Sequence, residues 1–246
     1  RAVASGIGAY VIGPEEYRDS GFTRATMRGA NYVGARTIAQ RFEQIRRLQA
    51  TKAGFLTYCY IPELDQAAHA KGVSSSSWLN LVEEVDSELR RLSVELDTGD
   101  GFIITADHGV IDVVAERQLV LEELVDWPEQ TILSGDPRVA FIYTTGDSEK
   151  FKTELTLALG NFCLVLSREE VVSAGWYGPV VMQRVMESLP ELFIIALQNV
   201  ALYHRGFSKP SSFRMVGQHG ALNMDELQVP LLRFGGYRAR AGVTKS

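Results

Sequence analysis

A long amphipathic segment lies between two short apolar runs and limits the folds that this sequence can adopt. Residues 75–96 begin with serines suited to helix capping. They then place seven apolar side chains on one helical stripe: Trp78, Leu81, Val82, Val85, Leu89, Leu92 and Leu96. The flanking runs, GFLTYCYI (54–61) and GFIITA (101–106), have the length and composition of buried strands. This order predicts a βαβ unit whose two strands are parallel neighbours.

The rest of the chain continues to alternate strands with helices. A strand is expected at 9–13, a helix at 36–49, a strand pair near 130–145 and a helix at 147–159. The strand NFCLVLS, the short helix REEVVSAG, and the strands LFIIAL (192–197) and VALYH (200–204) follow, the last two expected to be antiparallel. The pattern predicts one α/β domain over 1–246, with 116–200 as a possible small inserted lobe.

Charge limits the partners of this chain. The 246 residues include 25 basic and 30 acidic side chains, which gives a net charge of −5 with neutral histidines. A protein that binds the phosphate backbone of a nucleic acid usually has a basic face, so no nucleic-acid polymer is expected as a partner. A small phosphoester or nucleotide is compatible with this charge, because a bound metal ion would supply positive charge.

Cysteine usage and hydropathy limit the environment. Cys59 and Cys163 lie far apart in apolar runs, which favours buried free thiols over a disulfide. No stretch approaches the roughly 20 apolar residues of a membrane span, so no membrane segment is expected. No signal peptide is visible, and a cytoplasmic location is the expectation. Because the first residue is Arg1 and not Met, we expect a processed or truncated piece.

Acidic residues and histidines follow both predicted central strands. Asp65 and His69 come after strand 54–61, and Asp107 and His108 come directly after strand 101–106. Ligands of open α/β sheets bind beyond the carboxyl ends of parallel strands, and residues four apart share one face of a helix. His219 stands between Gly217 and Gly220, which permit tight backbone geometry near a ligand. Carboxylate and imidazole together favour zinc, with manganese or iron as further choices.

Each of these residues also has an ordinary structural interpretation. Asp65 and His69 are compatible with a polar loop that contains an Asx-type turn, and Asp107 with a cap on the following turn. His204 and Asp112 are expected to have no role, Asp112 as a loop or solvent-facing residue. No G-x-S-x-G, P-loop or G-x-G-x-x-G motif is present. Two acid–histidine pairs together with His219 favour a metal site over the separate interpretations.

Three motifs in order resemble the alkaline phosphatase superfamily, most closely its type I phosphodiesterase/nucleotide pyrophosphatase branch. They are LDQAAHAKG (64–72), TADHGVIDV (105–113) and GQHGALNMDELQVPLL (217–232). The likeness extends to SGFTRATMRGANYVGART (20–37), GDPRVAFIY (135–143) and AGWYGP (174–179), and so covers nearly the whole chain. It implies an alkaline-phosphatase-like α/β fold, with a mostly parallel sheet sandwiched by helices and a small appended α+β lobe.

The resemblance implies a site for two divalent metal ions, usually zinc, with manganese as the second choice. By motif, Asp65, His69 and His219 would hold one ion, and Asp107 and His108 would hold part of the other. The family also uses a Thr or Ser nucleophile and one further Asp in its N-terminal segment. We find neither here, because Thr23 in SGFTRA does not stand in the nucleophile motif.

We therefore expect the C-terminal part of an enzyme, with no catalytic nucleophile in this chain and a fold incomplete at the N-terminus. The missing part would come in cis or from another chain. The expected function is metal-dependent hydrolysis of phosphodiester or nucleotide pyrophosphate bonds. The alternatives are a phosphomonoesterase, phosphomutase or sulfatase of the same superfamily, or a non-catalytic remnant domain. These residues alone are expected to bind one ion at best and to turn over little.

Overall fold

The computed structural model describes residues 2–51 and 54–238 and shows a mixed α/β chain. Its strands are β1 (Gly8–Gly13), β2 (Asn31–Gly34), β3 (Phe55–Cys59), β4 (Gly101–Ile104), β5 (Ile111–Asp112), β6 (Gln118–Val120), β7 (Ile132–Asp136), β8 (Val139–Tyr143), β9 (Cys163–Ser167), β10 (Leu192–Ala196), β11 (Ala201–Tyr203), β12 (Gly217–Gln218) and β13 (Leu232–Gly235). Its α-helices are α1 (Gly21–Thr26), α2 (Ile38–Ala50), α3 (Glu63–Lys71), α4 (Ser76–Val94), α5 (Ser148–Leu159), α6 (Arg168–Ser173), α7 (Gln183–Met186) and α8 (Met224–Leu227). Within the described ranges, no helix is both long and apolar enough to cross a membrane.

The chain divides into two compact units. The first consists of Arg1–Gln66, Ser76–Ile104 and Leu231–Ser246, and the second of Ala67–Ser75 and Thr105–Pro230. The boundary after Gln66 falls inside helix α3, whose first four residues belong to the first unit and whose remaining residues belong to the second. The inserted lobe over 116–200 stays a prediction.

A parallel sheet and two long helices form the first unit. The sheet has the order β2-β1-β3, and both pairings are parallel. Helix α2 begins after Thr37, whose side chain accepts a hydrogen bond from the Gln40 backbone N–H. The apolar faces of α2 and α4 meet in one cluster, with Ile38, Phe42 and Leu92 buried at its centre. Four residues of the amphipathic stripe predicted for 75–96 pack in this cluster, namely Leu81, Val85, Leu89 and Leu92. Val82, which was predicted to share the stripe, is exposed.

The prediction that strands 54–61 and 101–106 are parallel neighbours is wrong. β3 pairs with β1, whereas β4 pairs in antiparallel fashion with β13. The stacked rings of Phe102 and Phe234, with centroids 4.4 Å apart, support the β4–β13 pair. A crossover helix joins two strands of one unit, but it does not require that they share a hydrogen-bonded edge.

An antiparallel sheet forms the centre of the second unit. Its order is β7-β8-β10-β9, and all five residues of β10 are buried. Helix α5 begins after Asp147, whose side chain accepts a hydrogen bond from the Lys150 N–H. The helix packs Phe151, Leu155 and Leu159 into the core. The structure thereby confirms the strand pair expected near 130–145 and the helix expected at 147–159.

The prediction that LFIIAL and VALYH are antiparallel to each other is also wrong. β10 pairs with β8 and β9, whereas β11 pairs in parallel with β6. The short connection between them is held by Arg138, whose Nη1 donates to the carbonyl oxygens of Gln198 and Val200, each at 2.5 Å. The chain thus leaves the four-stranded sheet after β10, and β11 pairs elsewhere in the same unit.

The two cysteines carry unpaired thiols, as the sequence predicts. Cys163 is buried at the start of β9, next to the core of the second unit. Burial raises the pKa of the Cys163 thiol to about 12, because the thiolate would lose its hydration there. This thiol is therefore an apolar core group and not a reactive one.

Candidate metal centre

Helix α3 carries both Asp65 and His69. Their spacing of four residues places them on one face, one turn apart. The first turn of the helix is held by Arg41, whose side chain is buried and whose Nη1 and Nη2 donate to the Glu63 carboxylate at 2.7 and 2.6 Å. A bidentate pair of this kind restrains both position and orientation. The acid–histidine pair therefore stands on a rigid element and not on the polar loop of the alternative interpretation.

The His69 ring has one defined tautomer. Its Nδ1 lies 2.8 Å from the carbonyl oxygen of Gly217, and a carbonyl only accepts, so Nδ1 carries the proton and donates. The lone pair is therefore on Nε2, where a metal ion would bind. The Val216 N–H also donates to the His69 carbonyl oxygen at 2.8 Å.

Gly217 allows β12 to approach α3 this closely. A Cβ atom at this position would lie 2.5 Å from the Ala68 carbonyl oxygen, which is closer than real side chains come. The glycine before His219 thus has a physical reason, which is close approach of two backbones.

The structure brings Asp65, His69 and His219 together. One candidate ligand atom from each residue lies within 4.8 Å of the other two, and all three residues are partly buried. The ring centroids of His69 and His219 are 5.1 Å apart. One carboxylate and two imidazoles form a three-ligand set that zinc accepts, with a fourth position left for water or substrate. These residues therefore fit a divalent ion.

The second acid–histidine pair lies in the loop after β4. The His108 ring stacks on the His219 ring at a centroid distance of 3.6 Å, and its Nδ1–H donates to the Gly109 carbonyl oxygen at 3.0 Å. Its Nε2 thus also keeps a lone pair. Asp107 lies 3.8 Å from that Nε2, and 84% of its side chain is exposed. The ligand roles of Asp107 and His108 stay predictions.

Asp112 is not the loop or solvent-facing residue that was expected. Its Oδ1 accepts a hydrogen bond from the Val73 N–H at 2.8 Å, within the second unit. Gly72, which has a positive φ of 84°, leaves room for this carboxylate, since a Cβ there would lie under 3 Å from both of its oxygens. Asp112 therefore ties the segment after α3 to β5. Its sequence shows no signal of this partner, which lies 39 residues away.

A buried ion pair, Arg138–Glu226, was not predicted from the sequence. Arg138 Nε and Nη2 donate to the Glu226 carboxylate at 3.1 and 2.7 Å, and neither side chain is accessible to solvent by more than 1%. The arginine within the apolar run DPRVAFIY could have indicated such a pair, because a charged side chain in a buried strand requires a partner of opposite charge. The position of that partner was not visible.

His204 and Thr23 have local partners. The Nδ1 of His204 accepts a hydrogen bond from the Gly206 N–H at 3.0 Å, and the ring packs against Trp127 at a centroid distance of 4.5 Å. Thr23 lies in α1, where its N–H and its hydroxyl both contact the capping Ser20 side chain at 3.1 Å. His204 therefore has a packing role, and Thr23 takes part in capping helix α1.

Comparison with known proteins assigns the family. Residues 8–221 match the model of the type I phosphodiesterase / nucleotide pyrophosphatase family. The chain belongs to this family. The match ends within the third motif but includes all the candidate ligands, which are Asp65, His69, Asp107, His108 and His219. It confirms the resemblance seen in the sequence. No curated protein sequence shows significant similarity to the chain.

Solved structures of two ectonucleotide pyrophosphatase / phosphodiesterase proteins share the fold. Human ectonucleotide pyrophosphatase / phosphodiesterase 5 superposes with a TM-score of 0.70 at 18% identity, covering 96% of this chain and 62% of that chain. An inactive form of the murine protein in complex with AMP gives 0.68 at 19% identity, covering 95% of this chain and 61% of that one. The chain therefore spans less than two thirds of the length of these relatives.

A bacterial enzyme shows the same fold. Phosphonoacetate hydrolase from Sinorhizobium meliloti 1021, in complex with phosphonoformate, has a TM-score of 0.64 at 15% identity, covering 94% of this chain and 66% of that one. The mixed α/β fold expected from the sequence is confirmed by these likenesses. At such identities the comparison shows the fold alone.

Proposed function

We propose that the protein containing these residues is a metal-dependent hydrolase of phosphodiester or nucleotide pyrophosphate bonds. The observation that carries this proposal is the convergence of Asp65, His69 and His219 on one point. Family membership supports the class of bond. The AMP complex of the murine relative supports a small nucleotide as substrate.

Asp65, His69 and His219 would hold the first divalent ion, and His108 and Asp107 would hold part of the second. Zinc is our first choice and manganese the second, because both accept carboxylate and imidazole ligands. Two such ions supply the positive charge that stabilises the attacking and leaving oxygens of a phosphoryl group. The chain's own contribution is orientation: the Gly217 and Gly109 carbonyls keep protons on the Nδ1 atoms, so that each Nε2 remains a ligand.

We further propose that the Thr or Ser nucleophile and the remaining ligands of the second ion lie outside these 246 residues. Asp107 and His108 are two candidate ligands, fewer than the three or four of a stable zinc site. The greater length of the relatives supports this proposal, since the chain covers 62% of the human protein's chain. These 246 residues alone would then bind one ion firmly and turn over little.

The test is metal analysis and an activity panel on the full-length protein. The panel compares bis(p-nitrophenyl) phosphate, p-nitrophenyl phosphate and p-nitrophenyl sulfate, before and after chelation and zinc readdition. We expect bound zinc and preferred hydrolysis of the diester, lost on chelation. Preference for the monoester or the sulfate would favour those members of the superfamily. Bound metal without turnover of any ester would favour a non-catalytic domain.

The matched pair of variants is His219→Ala and His204→Ala. Each removes one imidazole, and only the first removes a proposed ligand. Near wild-type turnover by His219→Ala would refute its assignment.

A further inference from the structure

We infer that the buried Arg138–Glu226 pair positions the two loops that carry His108 and His219. This inference rests on the proposed function and deepens it, because it assigns positioning residues to the same metal site. Neither side chain approaches the metal as a ligand in this assignment. Their effect passes through backbone hydrogen bonds to the two histidine loops.

Arg138 is fully engaged inside the second unit. Nε and Nη2 bind the Glu226 carboxylate, while Nη1 binds the carbonyl oxygens of Gln198 and Val200. A planar guanidinium with partners on three nitrogens has one orientation. The carboxylate of Glu226 is therefore held at a fixed point of the core.

Glu226 fixes the loop that contains His219. Its Oε1 accepts a hydrogen bond from the Ala221 N–H at 2.9 Å, and its Oε2 accepts one from the Asn223 side chain. Ala221 follows His219 by two residues, with Gly220 at a φ of 119° between them. The turn after His219 is thus wrapped around the Glu226 carboxylate.

The backbone of Glu226 fixes the loop that contains His108. Its carbonyl oxygen accepts a hydrogen bond from the Gly109 N–H at 2.8 Å. The approach is so close that a Cβ on Gly109 would lie 1.9 Å from the Asp225 carbonyl oxygen. One residue therefore holds the neighbours of both histidines whose rings stack at 3.6 Å.

Stability alone is a poor explanation of this pair. A buried ion pair pays a large desolvation cost and is often no more stabilising than well-packed apolar residues. A positioning role makes a separate prediction, which is that metal affinity falls even where the protein stays folded. Outer-shell partners of metal ligands typically contribute about 10–100-fold to affinity.

A second ion pair in the same unit provides a matched control. Arg168 donates to the carbonyl oxygens of Leu189 and Pro190 and to the Glu191 carboxylate. It thus repeats the pattern of one carboxylate and two carbonyls without contacting the His108 or His219 loop. Arg168→Lys should weaken folding and leave metal affinity unchanged.

The experiment measures Zn²⁺ affinity by competition with a chromophoric chelator, together with denaturant unfolding of the metal-free protein. The variants are Arg138→Lys, Glu226→Gln and the milder Asn223→Ala, each compared with Arg168→Lys. The same proteins loaded with Co²⁺ report ligand geometry through their visible absorption. We expect about 10–100-fold weaker zinc binding for Arg138→Lys and Glu226→Gln, with altered cobalt spectra. Asn223→Ala should weaken zinc binding less.

The outcomes separate this inference from the proposed function. A wild-type protein that fails to bind zinc overturns both. Wild-type zinc binding with wild-type affinity in the folded Arg138 and Glu226 variants overturns only the positioning role. If those two variants do not fold, Asn223→Ala decides: unchanged affinity and an unchanged cobalt spectrum refute the inference.

Discussion

The two acid–histidine pairs use the same residue types after two strands, yet the structure holds them differently. Asp65 and His69 stand on helix α3, and His69 is fixed by hydrogen bonds at its ring and at its carbonyl. Asp107 and His108 stand in a loop, where Asp107 is 84% exposed. Residue type therefore identifies a candidate ligand, whereas the backbone around it determines how rigidly the side chain is held.

The largest expected effect is that of His219→Ala. Losing one of three ligands should weaken zinc binding by more than the ~100-fold upper range for an outer-shell partner. The helix-borne pair alone would then no longer hold the ion. Chelator competition checks this, with His204→Ala as the control that keeps wild-type affinity. Tight zinc binding by the His219 variant would contradict this expectation, since Asp65 and His69 would then be sufficient to hold the ion.

The next largest effect is expected for Gly217→Ala, which disturbs the packing of β12 against the helix that carries Asp65 and His69. Gly217→Ala places a methyl group 2.5 Å from the Ala68 carbonyl oxygen, so β12 must move from α3. We expect about 1–3 kcal/mol of destabilisation and weaker zinc binding. Urea unfolding and zinc titration measure the two effects. Gly21→Ala, with nothing within 4 Å of the added atom, is the control. It should leave zinc binding unchanged and should not lower the free energy of unfolding, because Ala favours a helix more than Gly does.

A buried thiol makes the folded protein less stable at alkaline pH, which limits the pH range in which zinc binding by the two acid–histidine pairs can be compared. Burial raises the pKa of Cys163 from 9.0 to about 12, so the folded state keeps its proton while the unfolded chain ionises. Its contribution to stability is fully present below pH 9 and is lost as pH rises from 9 to 12. Between pH 8 and 10 the loss should be about 1 kcal/mol. Cys163→Ala should lose less stability than wild type over that interval in urea unfolding. An equal loss of stability in the variant and in wild type would show that the Cys163 thiol is not the source of this pH dependence.

The smallest expected effect is that of Asp107→Asn on the first ion. Because Asp107 is mostly in solvent, we expect one equivalent of zinc to bind with wild-type affinity. Isothermal titration of the 246 residues should also show any second equivalent binding far more weakly than the first. Two zinc ions bound with equal affinity, or a large loss of affinity in Asp107→Asn, would show that Asp107 and His108 bind zinc as well as Asp65 and His69 do.

Much of the local structure was readable from the sequence. The stripe of residues 75–96 predicts α4, and the apolar run LFIIA predicts a fully buried strand, because periodicity and composition are local properties. The approach of Asp65 to His69 also follows from their spacing on one helix. The motif order was sufficient to indicate the family that the comparison confirms.

Pairing between distant segments was not readable. β4 pairs with β13, and β11 with β6, although the backbone groups at any strand edge offer the same donors and acceptors. The local sequence of a strand therefore does not identify the strand with which it pairs. The sequence assignments of β3 to β4 and of β10 to β11 failed for this reason.

The candidate metal ligands, two acid–histidine pairs and His219, can be identified from the ordered sequence motifs alone. How these side chains are held depends on contacts between distant parts of the chain. The Gly217 carbonyl that sets the His69 tautomer is 148 residues away, and the Glu226 carboxylate that neutralises Arg138 is 88 residues away. Such contacts depend on long-range packing and on the desolvation of buried charge, which local pattern does not encode.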